Sequence, residues 1–167
     1  AQNPWFSYQE LLTEKAAKIV GGTNKEVVIT HSLTTNLHLL MVSFYKPEGK
    51  RIKILCEGKA FPSDQYALQS QAKFHDYTPE EVIVEVFPRE GEHLIRNEDI
   101  IAKINEIGDE LAVVMIGGLN YYTGQLFDMK AITEAGHKVG AKVGFDLAHA
   151  AGNVELSLHN WGVDFAM

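Results

Sequence analysis

The run "LAVVMI", Leu111 to Ile116, restricts the fold more than any other part of the chain. It is apolar without interruption, so a strand made of it must be covered on both faces. It is far too short to cross a bilayer, which takes about 20 residues in a helix. Strands of this kind lie inside mostly parallel sheets with helices above and below.

The rest of the chain supplies the helices. Ser7–Val20 is amphipathic, with Leu11, Leu12, Ala16, Ile19 and Val20 on one side, and Gly21 and Gly22 stop it. The β-branched run Val27–Ile29 reads as a short strand. Helical patterns then alternate with strands: helix Thr34–Tyr45, strand Arg51–Leu55, helix Ser63–His75, strand Val82–Phe87, and helix Asn97–Ile107 with Asn97 as N-cap. After Leu111–Ile116 come helix Phe127–Val139, strand Lys142–Phe145 and the opening of another strand at Val163–Met167. This order predicts βαβ units, hence an α/β fold with a mostly parallel sheet and helices on both faces. A chain that stops as a strand opens is expected to be part of a larger domain.

Charge and composition narrow the function. Among 167 residues the formal charge is −7, which argues against general nucleic-acid binding. The longest apolar stretch outside the strands, "NLHLLMVSFY", is interrupted by His38 and Ser43, so no membrane span is expected. The opening "AQNPWFSYQE" has neither the basic start nor the apolar core of a signal peptide. The single cysteine, Cys56, allows no internal disulfide and fits a reducing compartment. On a strand it reads as a small buried hydrophobe. There is no HExxH, no paired-Cys spacing, no GxSxG, no GxGxxG and no P-loop, so no metal site is expected, and a metal-dependent hydrolase using Asp146 and His149, a serine hydrolase and a nucleotide-binding protein have little to rest on.

In open parallel sheets, ligands bind beyond the carboxyl ends of the strands. After Ile29, "THSLTTN" puts Thr34 and Thr35 at a helix start, where they either cap the helix or help bind an anion. After Leu55, "CEGKAFPSD" sets Phe61 beside Ser63 and Asp64 at another helix start. Phe61 is either core or a stacking ring, and Ser63 is a candidate N-cap. After Ile116, "GGLNYYTGQ" is a polar, aromatic loop that is either ordinary or a site wall. The sharpest signal is "KVGFDLAHAAGNV": Asp146 ends a strand that its neighbours would bury, and His149 follows in a run of small residues. A buried carboxylate is costly unless paired. It either caps the next helix or pairs with a protonated ring nitrogen of a cofactor, as a pyridoxal phosphate electron sink requires. Such a charge-assisted bond is worth about 1.5–3 kcal/mol. His149 is either structural or part of that site.

The stretches "SLTTNLHLLMVSFYKP", "KAFPSDQYALQSQ", "YYTGQ" and "VGFDLAHAAGNVELSLHNWGVDFA" resemble the kynureninase family from about Asn3 to Ala166. The resemblance implies the aspartate-aminotransferase-like fold (fold type I), with residues 1–167 forming part of one three-layer, cofactor-binding large domain. It implies pyridoxal phosphate as cofactor and hydrolysis of L-kynurenine or its 3-hydroxy form, in a cytoplasmic homodimer of tryptophan catabolism and NAD biosynthesis. Carried over, it places Leu33 and Thr34 at the cofactor phosphate and stacks Phe61 on the ring. Pro62, Ser63 and Asp64 complete that segment, Asp146 pairs with the ring nitrogen, and His149 lies beside the cofactor. Two departures stand out. Gly117 occupies a position where animal-type relatives have serine, and the family's Schiff-base lysine falls beyond Met167, so the chain alone is expected to be inactive. The same logic would also serve a cysteine desulfurase, an aminotransferase or a non-catalytic α/β binding domain.

Overall fold

The computed structural model describes residues 5–167. A 3-10 segment, Trp5–Leu12, leads into α1, Thr13–Val20. There follow α2 (Leu33–Phe44), β1 (Lys53–Glu57), α3 (Pro62–Phe74), the single turn α4 (Pro79–Val82), β2 (Ile83–Val86) and α5 (Asn97–Ile107). Then come β3 (Leu111–Gly117), α6 (Met129–Lys138), β4 (Lys142–Asp146), the short α7 (Leu158–Trp161) and β5 (Phe165–Ala166). The strands form one sheet in the order β2-β1-β3-β4-β5, and every neighbouring pair is parallel.

The central strand behaves as its sequence requires: each residue from Leu111 to Ile116 is buried. Successive side chains leave a strand on opposite faces. Val114 and Ile116 therefore join Leu55, Val143 and Phe145 beneath α5 and α6. Val113 and Met115 join Ile54, Cys56 and Phe165 beneath α2 and α3. Each such side chain contributes about 1.5–3 kcal/mol on full burial, so the two faces of β3 hold the three layers together. Gly144 on β4 is paired with Phe165 on β5, and a Cβ there would stand 2.1 Å from the Phe165 ring. The missing side chain makes room for that ring, which stacks on Phe44 of α2 with centroids 4.7 Å apart. The edge strand is thereby tied to a helix.

Several expectations need correction. Val27–Ile29 is not a strand: Val28 and Ile29 are exposed, and neither edge of the sheet reaches them. The chain instead bends at His31, whose φ is +39°, while Asn36 Nδ2 donates to the Thr30 carbonyl at 2.9 Å. The first helix is broken, because Ser7 has non-helical angles (φ −105°, ψ 18°) and only Thr13–Val20 is α-helical. Leu11, Leu12 and Ile19 of its expected apolar stripe lie in the open, while Ala17 is buried. The helix does stop at Gly21, which takes a left-handed φ of +63° and lies so close to Leu156 that a Cβ would meet its carbonyl at 2.3 Å. Val82 belongs to α4 rather than to β2. Asn97 is the first residue of α5 rather than its cap, and its Oδ1 accepts from the Asp128 amide at 3.1 Å. Asp128 in turn caps α6, which starts after the buried Phe127 instead of at it.

Candidate functional site

The strand order locates the site. The chain leaves β1 for β2 on one side and returns to β3 on the other. Such a reversal opens a crevice at the carboxyl ends of the two inner strands, which is where ligands bind in open parallel sheets. Glu57 ends β1, Gly117 ends β3, and Asp146 ends β4 in register with Gly117.

Asp146 is 8% exposed. It does not cap a helix, since the segment after it is a series of turns. Its Oδ1 accepts the Ala148 amide at 2.7 Å, which fixes the side chain at the strand end. The main chain is held from both sides, with the Gly118 amide donating to the Asp146 carbonyl at 2.7 Å and the Leu147 amide to the Met167 carbonyl at 2.7 Å. Gly118 admits no side chain without crowding, because a Cβ would lie 3.0–3.2 Å from Met129, Leu147 and Ala150.

A second carboxyl faces Asp146. Phe61 is the N-cap of α3, Pro62 opens the helix with its fixed φ, and Asp64 is buried in the first turn. Burial, then the hydrogen bond and charge of Asp146, push the Asp64 carboxyl up to about 8, against a weaker pull from Ser63. Ser63 is thus not the cap: its hydroxyl donates to Asp64 Oδ1 at 3.3 Å. A third carboxyl, Glu57, is 4% exposed and accepts the Gly117 amide with both oxygens, at 3.1 and 3.3 Å. Burial raises its pKa, against the backbone bonds that lower it, and the charge of Asp146 adds to the rise. Among the described residues none of the three has a Lys, Arg or His partner within ion-pair distance. No three His, Cys, Asp or Glu side chains there are placed to share a metal ion.

An aromatic pair forms at the start of the helix that carries Asp64. Phe61 is 46% exposed, so it is not core, and its ring meets Tyr121 edge-on at 5.1 Å. The loop that carries Tyr121 is tied together by its own hydrogen bonds. Asn120 Oδ1 accepts the amides of Tyr122 and Thr123 and the Thr123 hydroxyl, and Gly124 turns at φ +70°. Gln125 pins the far side by accepting the Ile95 amide at 3.0 Å.

The other expected residues lie on α2 and in the turn after β4. Leu33 and Thr34 are half-buried in the first turn of α2, which packs on α3. Because Val27–Ile29 is no strand, that helix start does not follow a strand end. His149 is exposed in the turn after β4, where its carbonyl accepts from Asn153 Nδ2 at 2.9 Å. Cys56, beside Glu57, is 3% exposed, and burial drives its thiol far above the usual range, so it is no nucleophile.

The family model for class-V aminotransferases matches residues 8–167. The chain belongs to that family. Among its relatives, a kynureninase of Flavobacterium johnsoniae is 66% identical over 99% of the chain. Among solved structures, a cysteine desulfurase of Thermococcus onnurineus matches 96% of the chain with a TM-score of 0.77 at 18% identity. The cystine C-S lyase C-DES, in a form with glycine covalently linked to its PLP cofactor, matches 95% with a TM-score of 0.76 at 18% identity. These chains are longer. The class-V chain described here spans 39% of the Flavobacterium relative, 38% of the desulfurase and 40% of the lyase. Among the described residues no helix is long and apolar enough to cross a membrane.

Two residues of this candidate site are not singled out by the sequence reading. Glu57 sits in the quoted "CEGKAFPSD", where an acid ending an apolar strand carried the same signal as Asp146. Tyr121 lies in the loop singled out as a wall, yet nothing in the spacing says which of Tyr121 and Tyr122 turns inward. Gly117 was noted only as a departure, and its amide proves to be the partner of Glu57.

Proposed function

We propose that this chain forms part of the pyridoxal-phosphate-binding large domain of a kynureninase, which hydrolyses L-kynurenine to anthranilate and L-alanine. The observation that carries the reading is the convergence of Asp146, Asp64 and Glu57 at the crevice, buried and without a cation among the described residues. Buried carboxyls without a cation are pushed toward their neutral forms, and a cation beside them lets them ionise. A protonated pyridine nitrogen is a cation of the right kind, and the half-exposed Phe61 beside it offers a ring face, so the residues present fit the cofactor. The 66% identity to a kynureninase supports the choice within the family.

Pyridoxal phosphate, when bound, supplies an electron sink for negative charge at the substrate's α-carbon. Asp146 keeps a proton on the ring nitrogen, and the Ala148 amide holds the carboxylate in place for that bond. Asp64 gives up its own proton when a cation arrives beside it, so the pair carries enough charge to hold that cation. Phe61 covers one ring face, and Tyr121 keeps Phe61 from rotating away. Pro62 and Ser63 set the turn that presents Phe61 and Asp64. Leu33 and Thr34 serve the phosphate end, where the free amides of the first turn of α2 favour an anion. His149, exposed after β4, lines the approach. The intact enzyme is a cytoplasmic homodimer in this reading.

The test is direct. The intact protein, loaded with pyridoxal phosphate, is given L-kynurenine, and anthranilate is followed by its fluorescence with alanine measured in parallel. Cofactor binding without release of either product would leave the fold and remove the assigned reaction.

A further inference from the structure

We propose that Glu57 is a positioning residue for the cofactor ring. It clamps the crevice at Gly117 and places a third carboxyl behind Asp64 and Asp146, so that the site selects a cationic ring. The inference rests on the pyridoxal phosphate reading above and goes beyond it, since Glu57 needs no contact with the cofactor.

The geometry makes the case. Glu57 stands at the point where the sheet reverses, between the two inner strands. Its side chain is 4% exposed, both oxygens accept the Gly117 amide, and among the described residues no side chain donates to it. A purely structural acceptor at this position needs one oxygen and no charge, and an amide side chain would supply that without an ionisable group. Gly117 is shaped to receive it, because a Cβ there would stand 3.0 Å from Glu57 Oε1. Gly117 is also the register partner of Asp146 and the last strand residue before the loop that carries Tyr121 to Phe61. One clamp therefore sets both the floor and the wall of the site. The charge reaches further than the clamp: Glu57 acts on Asp64, and Asp146 acts on Glu57, through space. The three carboxyls are thus linked electrostatically, and a cation placed against Asp146 favours their ionised forms.

The experiment separates charge from shape. In the intact protein, Glu57→Gln keeps an oxygen for the Gly117 amide and removes the charge. Dissociation constants are measured for pyridoxal phosphate and for its 1-deaza analogue, which has carbon in place of the ring nitrogen. Glu57→Gln should weaken pyridoxal phosphate about tenfold, the effect of one partly buried charge. It should change the deaza analogue by less than about twofold, with circular dichroism and melting unchanged. Equal loss for the two ligands, or no loss for either, overturns the proposal. Should Glu57→Gln fail to fold, Glu57→Asp decides, because it keeps the charge and shortens the arm. It must retain the wild-type preference for pyridoxal phosphate over the analogue, and loss of that preference overturns the proposal as well. A wild-type protein that does not distinguish the two ligands would fail the Asp146 reading itself. A wild type that distinguishes them together with a Glu57→Gln variant that does so equally well would fail Glu57 alone.

Discussion

The ring of Tyr121 meets the ring of Phe61 edge-on, with centroids 5.1 Å apart and planes at 86°. Phe61 is otherwise free on one side, and the loop behind Tyr121 is held by Asn120. Edge-to-face pairs are worth about 0.5–1.5 kcal/mol beyond burial. Tyr121→Ala should therefore weaken pyridoxal phosphate binding roughly two- to tenfold. Tyr121→Phe keeps the ring and should bind like the wild type. Cofactor titration of the two variants checks this, and an equal loss in both would assign the effect to the hydroxyl instead.

Asp146→Asn should fold, because the amide oxygen can still accept from Ala148. It should lose kynurenine cleavage by roughly ten- to a hundredfold or more, since the lost charge-assisted bond is worth about 1.5–3 kcal/mol. Steady-state rates at saturating cofactor decide it. A near wild-type rate would mean that the ring proton is held elsewhere.

The Asp64 carboxyl gives the cofactor-free protein a pH signature. Its folded pKa is raised from 3.8 to about 8. The folded state then holds a proton that the unfolded chain has released, so stability is full below about 4 and declines as pH rises toward 8. Asp64→Asn, which cannot ionise, should flatten that decline. Melting temperatures of the cofactor-free proteins across this window test it, and parallel curves for wild type and variant would place the proton on another group.

At Gly144 the prediction concerns stability alone. A methyl group would meet the Phe165 ring at 2.1 Å and force it off Phe44. Gly144→Ala should cost about 1–3 kcal/mol, the usual range for overpacking, read as a fall in the urea midpoint at unchanged slope. Pairing it with Phe165→Leu, which shortens the obstructing side chain, should recover part of the loss.

How far the sequence carried depended on whether a feature was local. Leu111–Ile116 announces two-sided burial by itself, and the helices around it follow from periodicity and from stops such as Gly21. Asp146 was legible because a charge at the end of an apolar run is anomalous on its own. Glu57 carried the same anomaly, but its meaning depends on the Gly117 amide, which only the β1–β3 pairing brings near. Val27–Ile29 misled for the converse reason: β-branched residues suit a strand, but a strand also needs a partner, and the edges of the sheet lie elsewhere. The exposed Leu11, Leu12 and Ile19 show the same limit, since a helical stripe says which side is apolar and not what lies opposite.

The reversal at β1 also governs the order in which this chain can assemble. Glu57 and the amide that receives it are 60 residues apart in sequence, whereas β1 can pair with β2 much earlier in synthesis. Contacts of long sequence separation form slowly, because the loop must close before they reward it. A growing chain can therefore pair Leu55 with Val84 of β2 while Glu57 still awaits the amide of β3. The crevice becomes a binding surface only once β3 slides into place between strands made before and after it.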